Sequence, residues 1–333
     1  MLNNLVNLHD FVVLAEKVRA GLGSDVLARL FRPARSRIEQ SWKHTENTTT
    51  HWWEIPGVQR RWNHLITGNA GIDPVAYVSK KYLRYNLNPK GISLGCGLGN
   101  REMKWIRANP GLTIDGYDIS SERIRHADQL VEQEHMHERL RFSVANVFDL
   151  EIADGTYDVV FVEDALHHFT PLAKILKKIN SMLRPDGYLI VNEFVGPSRF
   201  QWTDRQLNAV NGILSILPAR YRRRAGHGSH KNRVYRPGRL TMYLSDPSEA
   251  AESSEIPGML QREFDVLEAR YYGGTILHPL FKEIAHNFLE GDRETEVVLG
   301  LCFHVEDLLL HHKEIRSDFV YCVCRKKSGP GVP

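Results

Sequence analysis

The chain has 333 residues, 42% of them hydrophobic and 25% charged, a mixture that fits one soluble α/β core with attachments. Mean hydropathy of -0.36 excludes a membrane-embedded body, and no run reaches the ~20 apolar residues that a spanning helix needs. A net charge of +3 supplies no global polycation, so nucleic acid is not an expected partner.

The opening MLNNLVNLHD lacks the basic-then-apolar order of a secretion signal, which points to the cytoplasm. Cys96, Cys302, Cys322 and Cys324 include no C-x-x-C pair. Cys322 and Cys324 lie two apart in the strand-like run DFVYCVC, so both fall on one sheet face and read as packing. No metal site is expected.

In chain order, apolar residues at Leu5, Leu8, Phe11, Val12 and Leu14, then Val26, Leu27, Leu30 and Phe31, predict two amphipathic helices. Residues 1–87 are therefore expected to form a helical extension or lid, through which a homodimer could form. Within it, HWWEIPGVQRRWNHLITGN places Pro56 at a helix start and crowds Trp52, Trp53 and Trp62 together, a density better suited to buried packing than to a lid.

From Lys90 the pattern becomes short apolar runs separated by helices. GISLG, LTIDGYDIS, LRFSVANV, YDVVFVEDA and GYLIVNEF read as strands, with SERIRHADQLVEQEH and PLAKILKKINSML as helices between them. Such alternation predicts a parallel sheet wound on both faces, its core spanning residues 88–198.

Residues 199–262 depart from alternation: a helix from Trp202 to Leu217 precedes a basic run and then SDPSEAAESSEIPG. This insertion is a candidate substrate cap. Eight Arg or Lys fall between Arg220 and Arg239, a density that suits carboxylate or phosphate recognition, or equally a solvated loop paired with the acidic stretch from Asp246. Residues 263–333 supply two last strands, REFDVLEARYY and SDFVYCVC. The fold class expected is α/β, a doubly wound seven-stranded sheet, mostly parallel, with its last strand antiparallel.

The strand GISL runs into Gly95-Cys96-Gly97-Leu98-Gly99-Asn100 and then a helix, REMKWIRAN. Glycine lets a backbone turn tightly and approach a ligand without a Cβ clash. Nineteen residues after Gly99, at the end of the next strand, stands Asp118, whose carboxylate can accept hydrogen bonds from two ribose hydroxyls. Together, in this order and spacing, the two features point to an adenosine-containing cofactor. A pyrophosphate cofactor would prefer G-x-G-x-x-G, but Asn100 stands where its last glycine belongs.

In its order of motifs the segment of residues 88–195 resembles the class I S-adenosylmethionine methyltransferases that act on small molecules. The resemblance implies that Gly95, Gly97 and Gly99, with Cys96 and Asn100 in the same turn, flank the methionine part of the cofactor. It also implies that Asp118 holds the ribose, Ile119 packs on adenine, and Asn146 and Val147 meet the adenine edge, with Asp149 as a rival there. Where the family carries an acid two places before the first glycine, this chain has Ser93. Glu163-Asp164-Ala165-Leu166-His167-His168-Phe169 is similar to the family's histidine-pair segment, and Leu-Arg-Pro-Asp-Gly at 183–187 resembles its turn into strand five.

Methyl transfer is an in-line displacement at a sulfonium, so such an enzyme aligns the nucleophile and takes a proton from an oxygen acceptor. His168, or else His167, is the candidate base. Glu163 is a candidate for the cofactor's methionine amine, while Asp164 and Glu193 share the same sheet edge and are candidate substrate contacts. In YYGGTILHPLF, Tyr272 and His278 are further candidates for the substrate pocket.

The expected activity is methyl transfer from S-adenosyl-L-methionine, most readily to oxygen, on a small metabolite or sugar-containing intermediate, leaving S-adenosyl-L-homocysteine. The N-P-P-Y signature of base N-methylation is absent after strand four. Two other readings stay open: a cofactor-binding partner protein without chemistry of its own, and an NAD(P)-dependent oxidoreductase on the same core.

Overall fold

A computed structural model describes Asp10 and residues 50–226 and 228–327. The two helices expected within residues 1–45, the dimer contact assigned to them and the SGPGVP tail lie outside the described residues.

Seven strands form one sheet: β1 (Lys90–Leu94), β2 (Thr113–Asp118), β3 (Leu140–Val144), β4 (Tyr157–Glu163), β5 (Leu183–Phe194), β6 (Phe264–Gly273) and β7 (Phe319–Lys326). Their order across the sheet is β3-β2-β1-β4-β5-β7-β6, and the last strand runs antiparallel, as the sequence predicts. β1 lies parallel between β2 and β4, with Ser93 opposite Gly116 on one side and Phe161 on the other. The strand order reverses at β1, and in open α/β sheets ligands bind at such a switch point, beyond the carboxyl ends of the strands.

Among the described residues there are ten helices of the α type: α1 (Pro56–Thr67), α2 (Pro74–Val78), α3 (Asn100–Ala108), α4 (Ser121–Gln133), α5 (Leu172–Met182), α6 (Asp204–Ile216), α7 (Arg239–Ser245), α8 (Ile256–Glu263), α9 (Leu277–Phe281) and α10 (Arg293–His311). The sequence LAKILKKINSM makes α5 amphipathic, and Leu172, Ile175, Leu176, Ile179 and Met182 at three- and four-residue spacing are all buried. They pack with Ile92 and Leu94 of β1, Val160 and Val162 of β4, Leu189 and Val191 of β5, and Ile256 and Leu260 of α8. Burial contributes roughly 1.5–3 kcal/mol for each such side chain.

Leu-Arg-Pro-Asp-Gly, expected as a turn before strand five, lies within β5. Tyr157 pairs with Leu183 and Val159 with Tyr188, so residues 184–187 bulge out of register and the turn is absorbed into the strand. Cys322 and Cys324 are buried, and both belong to the core, in keeping with a packing role.

The chain divides into two compact units. One comprises the described residues up to Gly71, then Gly196–Ala250 and Tyr271–Phe319; the other comprises Ile72–Val195, Ala251–Arg270 and the described residues from Val320. β1 to β5 belong wholly to the second unit.

Candidate active site

The turn from β1 into α3 carries Gly95, Gly97 and Gly99 at φ of 77°, 57° and 79°, a conformation that side chains bearing a Cβ rarely adopt. The amides of Gly95 and Cys96 both donate to the Tyr117 carbonyl, at 2.7 and 3.1 Å, which ties the turn to the end of β2. A Cβ at Gly95 would stand 2.6 Å from the Ala165 Cβ, whereas one at Gly97 would meet nothing nearer than the Arg123 guanidinium at 3.6 Å. A Cβ at Gly97 would therefore make only an ordinary van der Waals contact, with the end of a flexible side chain. Cys96 is buried beneath the turn, and burial pushes its thiol well up. Asn100 opens α3 and is exposed.

Asp118 ends β2 and is 8% exposed. Its Oδ2 accepts the Gly97 amide at 3.0 Å and its Oδ1 the Ser120 amide at 2.8 Å. A carboxylate oxygen has two lone pairs, so each keeps acceptor capacity while two backbone donors fix the group. Ile119 beside it is half-buried. After β3, Asn146 takes the Phe148 amide on its own Oδ1 at 3.0 Å, Val147 is buried in the core, and Asp149 is exposed with its amide donating to the Asn146 carbonyl.

Beyond β4 the chain folds around Glu193 of β5. That carboxylate has no exposure: Oε2 accepts the amides of Ala165, Leu166 and His167 at 3.1, 2.6 and 3.3 Å, and Oε1 accepts the Phe194 amide at 2.6 Å and meets His167 Nδ1. Five contacts of one buried acid thus fix the loop and the ring of His167. The His167 and His168 rings lie 4.1 Å apart between centroids. Burial, then the charges of His167 and Arg123, hold the His168 imidazole well below the usual histidine range, so it is neutral and able to accept a proton.

Glu163 accepts the Trp105 indole N–H at 2.6 Å, and burial raises its carboxyl above the usual range. Asp164, at φ 51°, pairs with Arg101 of α3. A further acid stands beside them. Glu102 of α3 is 4% exposed; its Oε1 accepts the Ser93 hydroxyl at 2.6 Å, while its Oε2 is buried with no hydrogen-bond partner. Burial, with the Glu163 charge adding to it, raises the Glu102 carboxyl to about 7.

Tyr272 and His278 belong to the first unit. Tyr272 is 1% exposed and packs on Trp62 and Phe319; His278 stacks on Trp52 and meets the edges of Phe200 and Trp202. Trp52 is buried there, as the sequence predicts. The basic run lies in this unit as well, and at least four of its eight cations have partners there. Arg220 pairs with Glu294, Arg224 with Glu283 and Arg236 with Asp204. Buried Lys231 donates to the carbonyls of Pro279, Leu280 and Lys282 at 2.7, 3.2 and 2.6 Å, the C-terminal end of α9. None of the partners named for these four cations lies in the acidic stretch from Asp246.

Residues 88–238 match the family model of a methyltransferase domain. Over this segment, less than half of the chain, the protein is similar to class I S-adenosylmethionine methyltransferases. Methyltransferase GfsG of Streptomyces halstedii is 25% identical to it over 158 residues, 45% of this chain and 56% of that protein. The 27-O-demethylrifamycin SV methyltransferase of Amycolatopsis mediterranei is 26% identical over 104 residues, 31% of this chain and 38% of that protein. Erythromycin 3''-O-methyltransferase of Saccharopolyspora erythraea is also 26% identical over 104 residues, covering 31% and 34%. The matches thus span between a third and just over half of these relatives. Phosphoethanolamine N-methyltransferase 2 of Haemonchus contortus, solved with S-adenosyl-L-methionine, shares the fold at a TM-score of 0.50 and 16% identity, over 87% of this chain and 60% of that one.

Within the methyltransferase domain, the second unit brings together Gly95, Cys96, Gly97, Gly99, Asp118, Glu163, Asp164, His167, His168 and Glu193 at the ends of β1, β2, β4 and β5. Glu102 was not among the residues singled out from the sequence. The signal available for it was its place one turn into the helix that follows the glycines, with Ser93 two places before them.

Proposed function

We propose that this protein transfers the methyl group of S-adenosyl-L-methionine to an oxygen of a small metabolite or sugar-containing intermediate. The observation that carries this reading is the turn of bare glycine backbone beside a carboxylate fixed by two amides, Gly97 and Ser120 on Asp118. Space where a Cβ would stand at Gly97 and spare acceptor capacity on Asp118 fit a ligand with a ribose and a flexible aminoacyl arm. When bound, the cofactor supplies an electrophilic methyl on a sulfonium.

On this reading the chain's own residues bind and orient. Asp118 accepts the ribose hydroxyls, Ile119 and Val147 flank the adenine, and Asn146 offers its side-chain amide to the adenine edge. Glu193 acts through another group: it holds the loop and the His167 ring in place, which fixes His168 beside it. His168, held neutral, takes the proton from the acceptor hydroxyl as the oxygen attacks. The names of two relatives, one acting on 27-O-demethylrifamycin SV and one at the 3''-O position of erythromycin, support oxygen as the accepting atom. Residues 1–87 and 199–262 are assigned to acceptor choice; their described residues contribute no strand to the sheet.

Incubation with methyl-labelled cofactor and a panel of hydroxylated acceptors, glycosides included, tests the reading. Labelled ether product with matching S-adenosylhomocysteine is expected. Transfer confined to amine acceptors, or cofactor binding with no transfer to any of them, would contradict it.

A further inference from the structure

We infer that Glu102, with Glu163 beside it, forms the seat for the ammonium group at the aminoacyl end of the cofactor; this rests on the cofactor reading above. Three observations carry it. Glu102 is 4% exposed, and one of its carboxylate oxygens is fixed by the Ser93 hydroxyl at 2.6 Å. The other, Oε2, is buried without a hydrogen-bond partner, and such a group costs free energy until a donor reaches it. Glu163, at the end of β4, is close enough to add its charge to that of Glu102, and its Oε1 is held by Trp105 at 2.6 Å.

Two acids gathered out of water favour a cation as their common partner. Among the groups of an S-adenosyl cofactor, the primary ammonium brings both positive charge and hydrogen-bond donors; a sulfonium brings charge alone. The glycine turn leads straight into α3, and Ser93 is two residues before Gly95, so the seat lies at the end of β1 where the turn begins. Ser93 then orients Glu102, and the helix supplies a carboxylate that the strand does not. Asp164 remains with Arg101 and is not needed for this contact.

The charged and titratable groups around Glu102 are Glu163, Arg101 and the Cys96 thiol. An ammonium bound here keeps Glu102 ionised. Ligands with the aminoacyl end should therefore bind more tightly as pH rises from 6 to 8, and should release a proton on binding. Ligands without that end should not.

The test uses calorimetry on the full chain with S-adenosylhomocysteine, which has the aminoacyl arm, and 5'-methylthioadenosine, which lacks it. Glu102→Gln should weaken S-adenosylhomocysteine by about 10- to 100-fold, the range of a hydrogen bond to a charged group, and leave methylthioadenosine unchanged. Equal weakening of both ligands, or no weakening of either, would overturn the assignment. Should the variant not fold, the wild type decides: affinity for S-adenosylhomocysteine rising through pH 7 while that for methylthioadenosine stays flat supports the seat, and two flat profiles reject it. If neither ligand binds the wild type at any pH, it is the cofactor reading that fails.

Discussion

His168 shows how the surroundings of one side chain set its chemistry. Its neighbours are a buried loop, a second imidazole and the Arg123 guanidinium, all of which disfavour the imidazolium and keep the ring neutral. The sign follows directly. A base whose pKa in the fold lies below 6.5 stays unprotonated on acidification until pH drops under that value, so with the cofactor saturating the acid limb of kcat/KM for the acceptor should fall below pH 6.5. His168→Ala should lower kcat by about 100-fold or more and remove that limb. An acid limb at or above pH 6.5 that persists in the variant would take the base role away from His168. Glu193, a candidate substrate contact by sequence, is engaged by four backbone amides and an imidazole. A pattern of residue types shows which acids reach the sheet edge but not which of them the backbone claims first.

At the scale of elements, the junction between β1 and α3 couples two loops. Gly95 faces Ala165 so closely that a Cβ there would lie 2.6 Å from another Cβ, while one at Gly97, with the same sign of φ, would only touch the Arg123 guanidinium at 3.6 Å. Gly95→Ala is accordingly expected to cost about 1–3 kcal/mol of stability from backbone strain, with the clash added. Gly97→Ala should cost only the strain and show its effect in cofactor affinity. Thermal melts and calorimetry on the two variants separate these outcomes; equal melting temperatures would mean that the loop after β4 yields freely. Strands were legible from apolar runs of five to seven residues, and α5 from its three-and-four spacing. The basic run was not. Lys231, by composition one more surface cation, is buried on three carbonyls at the end of α9, a partner some fifty residues away that no local pattern indicates.

For the whole molecule, the sequence led to the seven-stranded sheet because each strand and helix repeats its own period and the glycine turn fixes where the first crossover begins. The candidate site was legible to the extent that it lies on that crossover: Gly95, Gly97, Gly99 and Asp118 need only local chain geometry to meet. Glu102 is not legible from the sequence because its link to the turn runs through Ser93, nine residues before it, a neutral hydroxyl that donates to its carboxylate. Tyr272 and His278 sit among aromatic rings of the first unit, packing that depends on residues as distant in sequence as Trp52 and Phe319. What remains central is the proposal that residues 88–238 bind S-adenosyl-L-methionine through Asp118. Calorimetric titration of the wild type and Asp118→Ala with S-adenosyl-L-methionine, S-adenosylhomocysteine and NADH tests it most directly. Binding of the two S-adenosyl ligands but not NADH, lost or weakened at least 10-fold in the variant, is the predicted result; wild-type binding of NADH alone, or S-adenosyl binding untouched by the substitution, would contradict it.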